Sequence, residues 1–273
     1  MQTFPNCKIN LGLRVVGKRP DGYHNLETLF LPIPLCDSLQ IEHASQFSFV
    51  QEGITLDNIP EDNLCVKAYR LLQSQFPQMV KPVRMRLEKH IPFGAGLGGG
   101  SSDAAFTLKM ISEMFHLPCT VDELELLSAQ IGADCAFFVR NQAAYATGIG
   151  DQLEPLDLDL SPYRFVLLKP SDKVSTKEAY SGIVPRQDDS RLDLRQAVKL
   201  PVEEWKHHIA NDFETSVFPN HPRIAALKQQ LYDAGALYAS MSGSGAAVFG
   251  LFPKDAPVNL DAIPADEIIY DEL

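Results

Sequence analysis

The segment PFGAGLGGGSSDAA, from Pro92 to Ala105, holds the densest run of residues able to do chemistry. Five of the seven residues from Gly94 to Gly100 are glycine. Without Cβ atoms in the way, backbone N–H groups can close on a phosphate. A helix behind such a loop adds unpaired N–H donors and the positive end of its dipole. Ser101 and Ser102 supply hydroxyls, as donors or, for Ser102, as a contact to magnesium. The competing reading is a flexible connector, but a linker needs neither a cap nor a helix behind it.

Two better-known phosphate loops do not fit. Gly94, Gly96 and Gly99 satisfy G-x-G-x-x-G, yet that fingerprint calls for a second strand ending in an acid about 20 residues on. Here two helical patterns follow instead. A P-loop needs a lysine directly after its last glycine, and none stands there. The H-R-D and D-F-G signatures of protein kinases are missing as well.

The elements that must position this loop are legible on both sides of it. Val83 to Lys89 alternates apolar Val83, Met85 and Leu87 with charged partners, the period of a half-buried strand. Behind the loop, Ala104, Leu108, Ile111 and Phe115 recur at helical spacing, with Ser101, Ser102 or Asp103 available as caps. Thr120 and Glu123 form a capping box for a further helix running to about Ile131. An earlier helix is expected after Asp62-Asn63, burying Ala68, Leu71 and Leu72. Towards the C-terminus, Phe165 to Lys169 reads as a strand and Pro222 to Ala234 as a helix stopped by Gly235. Leu237 to Met241 and Ala246 to Phe252 read as two strands joined by Ser242-Gly243-Ser244-Gly245. Helices and strands alternate without a strict repeat, which predicts an α+β architecture. The acidic, proline-bearing stretch Asp151 to Pro162 suggests a boundary between domains 1–153 and 154–273.

Composition narrows the function classes. The chain has 273 residues, 45% hydrophobic and 22% charged, enough to bury a sizeable core in two domains. A net charge of −11 repels nucleic acid and anionic membranes, so a phosphate site must be built locally. No apolar run has the length of a membrane span, and the N-terminus lacks a signal-peptide pattern, so a cytoplasmic location is expected. The five cysteines have no metal-site spacing and read as reduced thiols.

Three ordered motifs resemble the GHMP small-molecule kinases. The glycine-rich segment is similar to their second motif. Asn6-Cys7-Lys8-Ile9-Asn10-Leu11 resembles the first, P-A-K-[IL]-N-L, with Asn6 in place of proline and Cys7 in place of alanine. Met241-Ser242-Gly243-Ser244-Gly245-Ala246 resembles the third. The segment Gly17-Lys18-Arg19-Pro20-Asp21-Gly22-Tyr23-His24 is similar to the branch whose acceptor carries a cytidyl diphosphate. Gly132-Ala133-Asp134, Val174-Ser175-Thr176 with Tyr180, and Asn211-Asp212-Phe213-Glu214 also resemble that branch.

The resemblance implies a ribosomal-protein-S5-domain-2-like N-terminal domain, a ferredoxin-like C-terminal domain and an active site in the cleft between them. It implies ATP-dependent phosphorylation of the 2-hydroxyl of a cytidyl-diphospho-methylerythritol, with ATP and Mg2+. Asp134 would accept the hydroxyl proton, although an aspartate after glycine is more often a turn or cap residue. Lys8 would stand beside it, keeping it ionised and polarising the hydroxyl. Pro92, Gly94, Gly96, Leu97, Gly98, Gly99, Gly100, Ser101 and Ser102 would hold the ATP phosphates, and Asn63, a helix cap, would also touch adenine. Asn10 would face the erythritol hydroxyls, while Gly243 and Ser244 would approach the substrate or the glycine loop. Tyr23 and His24 would stack on the base, with Tyr180 on its other face. The implied partner is this small molecule, with no nucleic acid and no membrane, in a monomer or weak homodimer. The alternatives are a sibling kinase acting on mevalonate, homoserine or a sugar, and a catalytically silent nucleotide-binding paralogue.

Overall fold

The computed structural model describes residues 1–54, 60–185, 191–264 and 267–271. The first half runs β1 (Gln2–Thr3), β2 (Asn6–Lys18), β3 (His24–Cys36), β4 (Ser38–His43), β5 (Ser48–Gly53), α1 (Leu64–Gln75), β6 (Val83–Lys89), α2 (Gly99–Met114), α3 (Val121–Ala129) and α4 (Cys135–Arg140). There follow β7 (Ala144–Thr147), β8 (Gln152–Pro155), β9 (Tyr163–Leu168), α5 (Thr176–Ser181), α6 (Leu194–Ala197), α7 (Val202–His208), α8 (Glu214–Val217), α9 (Pro222–Asp233), β10 (Tyr238–Met241), β11 (Val248–Pro253) and β12 (Ile268–Asp271).

These elements form two compact units. The first comprises Met1–Lys8, Pro32–Phe93 and Gly98–Gln142; the second comprises Ile9–Leu31, Gly94–Leu97 and Ala143–Leu273. Along the sequence the two units alternate, each drawing on three separate stretches of the chain. The reason is strand length: β2 and β3 have 13 residues each, and each starts in one unit and ends in the other.

In the first unit the sheet order is β1-β4-β6-β5, with β5 parallel to β6 and the other pairs antiparallel. Strand β6 keeps the expected alternation throughout, with Val83, Met85, Leu87 and Lys89 all facing in. Ala104, Leu108 and Ile111 of α2 and Ala68 and Leu72 of α1 are buried with Leu39, Ile41 and Met85. Each fully buried leucine, isoleucine or methionine among them contributes about 1.5–3 kcal/mol. Leu71, expected in this core, is only half-buried, and Phe115 falls just past the end of α2. The capping box of α3 forms as read: the Thr120 hydroxyl accepts from the Glu123 N–H, and Glu123 accepts from the Thr120 N–H.

In the second unit an antiparallel sheet runs β10-β11-β9-β12, which numbered within itself is the 4-1-3-2 order of a ferredoxin-like sheet. Val166, Leu168, Met241 and Val248 of this sheet share one core with Leu227 and Leu231 of α9. Gly235, at φ +99°, ends α9 in the left-handed conformation that glycine adopts without strain. A third sheet, β2-β3-β7-β8, pairs Thr28, Leu29 and Phe30 of β3 with β7. Among the described residues no helix is long and apolar enough to cross a membrane.

Candidate active site

The glycine loop does not end in the cap its sequence suggests. Helix α2 opens at Gly99, and its cap is Gly98, at φ +68° with no side-chain hydrogen bond. Ser102 and Asp103 are buried within the first turns instead. A serine or aspartate cap would have filled the N-terminal donors with its own oxygen. With glycine there, the N–H groups of Gly99, Gly100 and Ser101 donate to none of the described hydrogen bonds, and the first backbone bond runs from Ser102 N–H to Gly98 O at 2.9 Å. Three aligned donors at the positive end of a 16-residue helix suit a phosphate. The Ser102 hydroxyl is buried without a hydrogen-bond partner among the described residues. The Ser101 hydroxyl lies beside Cys135, whose thiol burial pushes up to about 12.

Lys8 and Asp134 meet beside this helix start. The Lys8 ammonium is 3.4 Å from the Asp134 carboxylate, with side chains 5% and 34% exposed. A Cβ added to Gly98 would stand 3.2 Å from Lys8 Cε. Asp134 occupies the cap position of α4, yet its side chain makes no capping bond. Its carboxylate is instead partly open and paired with a cation. A second ionic cluster, not anticipated from sequence, sits under the same helix. Lys89, inward-facing on β6, donates to Asp37 and, at 2.8 Å, to Asp103. Asp37 Oδ1 also accepts from the N–H groups of His90 and Ile91. Burial, partly countered by Lys89, pushes the Asp103 carboxyl up to about 7. The one available signal was a lysine in the apolar row of β6.

In the second unit the remaining loop residues meet the third motif. Gly96, at φ +74°, lies so close to that loop that a Cβ would stand 2.1 Å from Ser242 O. The fully buried Ser242 hydroxyl donates to Gly96 O at 2.9 Å and accepts from Asn10 N–H at 3.2 Å. Within the β10–β11 hairpin, Gly243 thus lies against the glycine loop, where a Cβ on it would stand 3.3 Å from Gly96 Cα. Pro92 is half-buried, Leu97 is buried, and Gly94 has open space around it. Asn10 Nδ2 donates to Thr28 Oγ1 at 3.0 Å, so that part of its amide is already engaged.

The aromatic site differs from the expected sandwich. His24 and Tyr180 stack directly, with centroids 4.6 Å apart and planes at 20°. A base held between them would need about 7 Å, twice the ~3.5 Å van der Waals contact. Phe213 packs edge-on against Tyr180 and helps to seat it. Tyr23 is 62% exposed beyond a turn in which Asp21 accepts from its N–H. The Arg19 guanidinium holds the Asp21 carboxyl below its usual range. Asn63 caps α1 by accepting from Cys65 N–H, and its amide nitrogen donates to Gln51 at 3.0 Å. Both ends of this amide are occupied, which favours the cap over an adenine contact. Among the described residues no cluster of three or more acidic, histidine or cysteine side chains could hold a metal.

Comparison with known proteins follows the same lines. Residues 63–142 match the family model of the GHMP kinases N terminal domain, and residues 196–262 match that of the GHMP kinases C terminal. A protein of Parabacteroides distasonis, named 4-diphosphocytidyl-2-C-methyl-D-erythritol kinase, is 49% identical over 99% of this chain and 98% of its own. The protein of the same name from Bacteroides thetaiotaomicron is 52% identical over 93% of each. A crystal structure of a 4-(cytidine 5'-diphospho)-2C-methyl-D-erythritol kinase superposes with a TM-score of 0.78 at 33% identity, covering 92% of this chain and 90% of that one. The mevalonate kinase of Methanococcus jannaschii shares the fold, with a TM-score of 0.64 at 14% identity, covering 92% of this chain and 90% of that one.

Proposed function

Since the chain belongs to the GHMP kinases and, within them, to the 4-diphosphocytidyl-2-C-methyl-D-erythritol kinases, we propose that it transfers the γ-phosphoryl group of ATP to the 2-hydroxyl of that cytidyl-diphospho alcohol. The reaction belongs to non-mevalonate isoprenoid precursor synthesis. The observation that carries the mechanism is the Lys8–Asp134 pair at 3.4 Å beside the uncapped start of α2. Asp134 accepts the hydroxyl proton as the oxygen attacks phosphorus in line, and ADP leaves. The Lys8 ammonium offsets charge spreading over the attacking oxygen. The N–H groups of Gly99, Gly100 and Ser101 hold the phosphates, assisted by the Ser102 hydroxyl. Magnesium enters as part of the MgATP substrate, because a triphosphate requires charge neutralisation and no acidic cluster among the described residues would bind the ion alone.

Asn10, Gly243 and Ser244 are assigned to the acceptor side, and His24, Tyr180 and Tyr23 to its cytosine. Stacking of the base on the outer face of the His24–Tyr180 pair needs no separation of the rings. The acidic chain, a monomer or weak homodimer in this reading, has no nucleic-acid or membrane partner. The matched domains leave residues 143–195 between them, a span that accommodates an evolutionary boundary at 153–154.

The test is ADP release with ATP, magnesium and a panel of alcohols. Turnover is expected with the cytidyl substrate. Turnover on mevalonate or homoserine alone would reassign the acceptor, and ATP binding without any turnover would mark a silent paralogue.

A further inference from the structure

The segment Asn211-Asp212-Phe213-Glu214 has no part in the mechanism above, yet it is bound to the third glycine motif and its strand by four hydrogen bonds. Its backbone is stitched to β2: Leu13 N–H donates to Ala210 O at 3.0 Å, and Asp212 N–H donates to Leu13 O at 2.8 Å. Asp212 also accepts from Val15 N–H and pairs with Arg191. Glu214 accepts from Met241 N–H at 2.9 Å and from the Ser240 hydroxyl. Asn211 is 2% exposed, and its amide is used from both ends. Nδ2 donates to Met241 O and to Gly243 O, each at 2.8 Å, while Oδ1 accepts from Phe213 N–H at 3.0 Å.

The two donors of one planar amide therefore set the direction of the Gly243 carbonyl. In a trans peptide the next N–H points the opposite way, so the Ser244 N–H is aimed away from Asn211. Ser244 is half-buried, and its N–H donates to none of the described hydrogen bonds. An unused donor on a loop that packs against Gly96 through Ser242, Gly243 and Gly245 suits an acceptor atom of a ligand, and a phosphate oxygen matches the backbone donors of a glycine-rich turn.

We propose that Asn211 is a positioning residue for phosphoryl transfer, holding the third glycine loop so that the Ser244 N–H meets a phosphate oxygen of the bound ligands. The proposal rests on the kinase reading above. The oxygen belongs to the acceptor diphosphate, to ATP or to the group in transfer, and binding measurements separate these sources.

The test uses the full chain with Asn211→Ala and Asn211→Asp. For Asn211→Ala, well below its melting temperature, kcat is expected to fall about 10- to 100-fold, less than the roughly 100- to 1,000-fold of removing an oriented donor outright, because the Ser244 N–H is displaced and not lost. A weakened Kd for the acceptor or for ATP, by calorimetry, assigns the oxygen to that ligand; unchanged Kd values assign it to the transferring group. In Asn211→Asp a carboxylate faces two carbonyl oxygens and only its protonated form can donate. Its activity relative to wild type should therefore rise from pH 8 to pH 6, a change that a purely structural role would not produce. Hydrogen exchange of residues 241–248 should accelerate locally in Asn211→Ala, and this readout holds even if the acceptor assignment fails. Normal kcat and Kd values with only a lower Tm, a flat pH ratio, or unchanged exchange would each overturn the proposal.

Discussion

Lys8 Nζ lies 3.4 Å from Asp134 Oδ2, joining a nearly sealed cation on β2 to a partly open carboxylate at the head of α4. The pair stands beside Gly98, where α2 begins without a side-chain cap. A carboxylate, a cation and a row of backbone donors are thereby gathered within one unit.

Asp134→Asn should lower kcat at least about 100-fold while ATP still binds, the scale of losing a positioned base. Lys8→Met should also lower kcat, and the double variant should be little worse than Asp134→Asn, because the two groups act as a unit. Near-normal turnover of Asp134→Asn in steady-state assays would remove the proposed base.

The Lys89 cluster should act on stability. Lys89→Met leaves Asp37 and Asp103 buried together without their cation and should cost about 3–5 kcal/mol in denaturant unfolding. Asp103 titrates near 7 in the folded chain and near 3.9 when unfolded, so folding favours its proton. Its stabilising contribution is complete below about pH 4 and is lost as pH rises towards 7. Asp103→Asn cannot titrate, so its Tm should gain on wild type across that window. A constant difference in Tm would contradict this.

Gly96 and Gly94 make a paired test. Both have positive φ, but a methyl group on Gly96 collides with Ser242 O, whereas Gly94 has nothing within 4 Å. Gly94→Ala should bear only the backbone penalty, about 1–2 kcal/mol. Gly96→Ala must displace the third motif, and its kcat/KM should fall at least tenfold further. Equal kinetic losses would show that the close approach has no bearing on turnover.

Tyr180→Ala should raise KM for the cytidyl substrate by about tenfold, within the ~1–3 kcal/mol of one base stacked on an aromatic ring, and change KM for ATP much less. A larger effect on ATP would move Tyr180 to the adenine side.

What could be read without coordinates was local in the chain. The alternation of β6, the Thr120–Glu123 capping box, the Asn63 cap and the glycines before α2 each depend on residues a few positions apart, where backbone geometry dictates the pattern. The first, second and third motifs, together with the Asp-Gly-Tyr-His segment, carried the kinase family and the cytidyl acceptor by resemblance alone. The start of α2 departs from its sequence pattern even so. Serine and aspartate score well as caps, but a glycine in the left-handed region reverses the chain earlier and leaves the donors open for a ligand. Tertiary structure decided what lies far apart in sequence: the meeting of Lys8 with Asp134, the burial of Lys89 between two aspartates, the contact of His24 with Tyr180 and the hold of Asn211 on Gly243. Each depends on how strands and helices pack. Burial and pairing energies belong to the three-dimensional neighbourhood, which the order of residue types along the chain does not express.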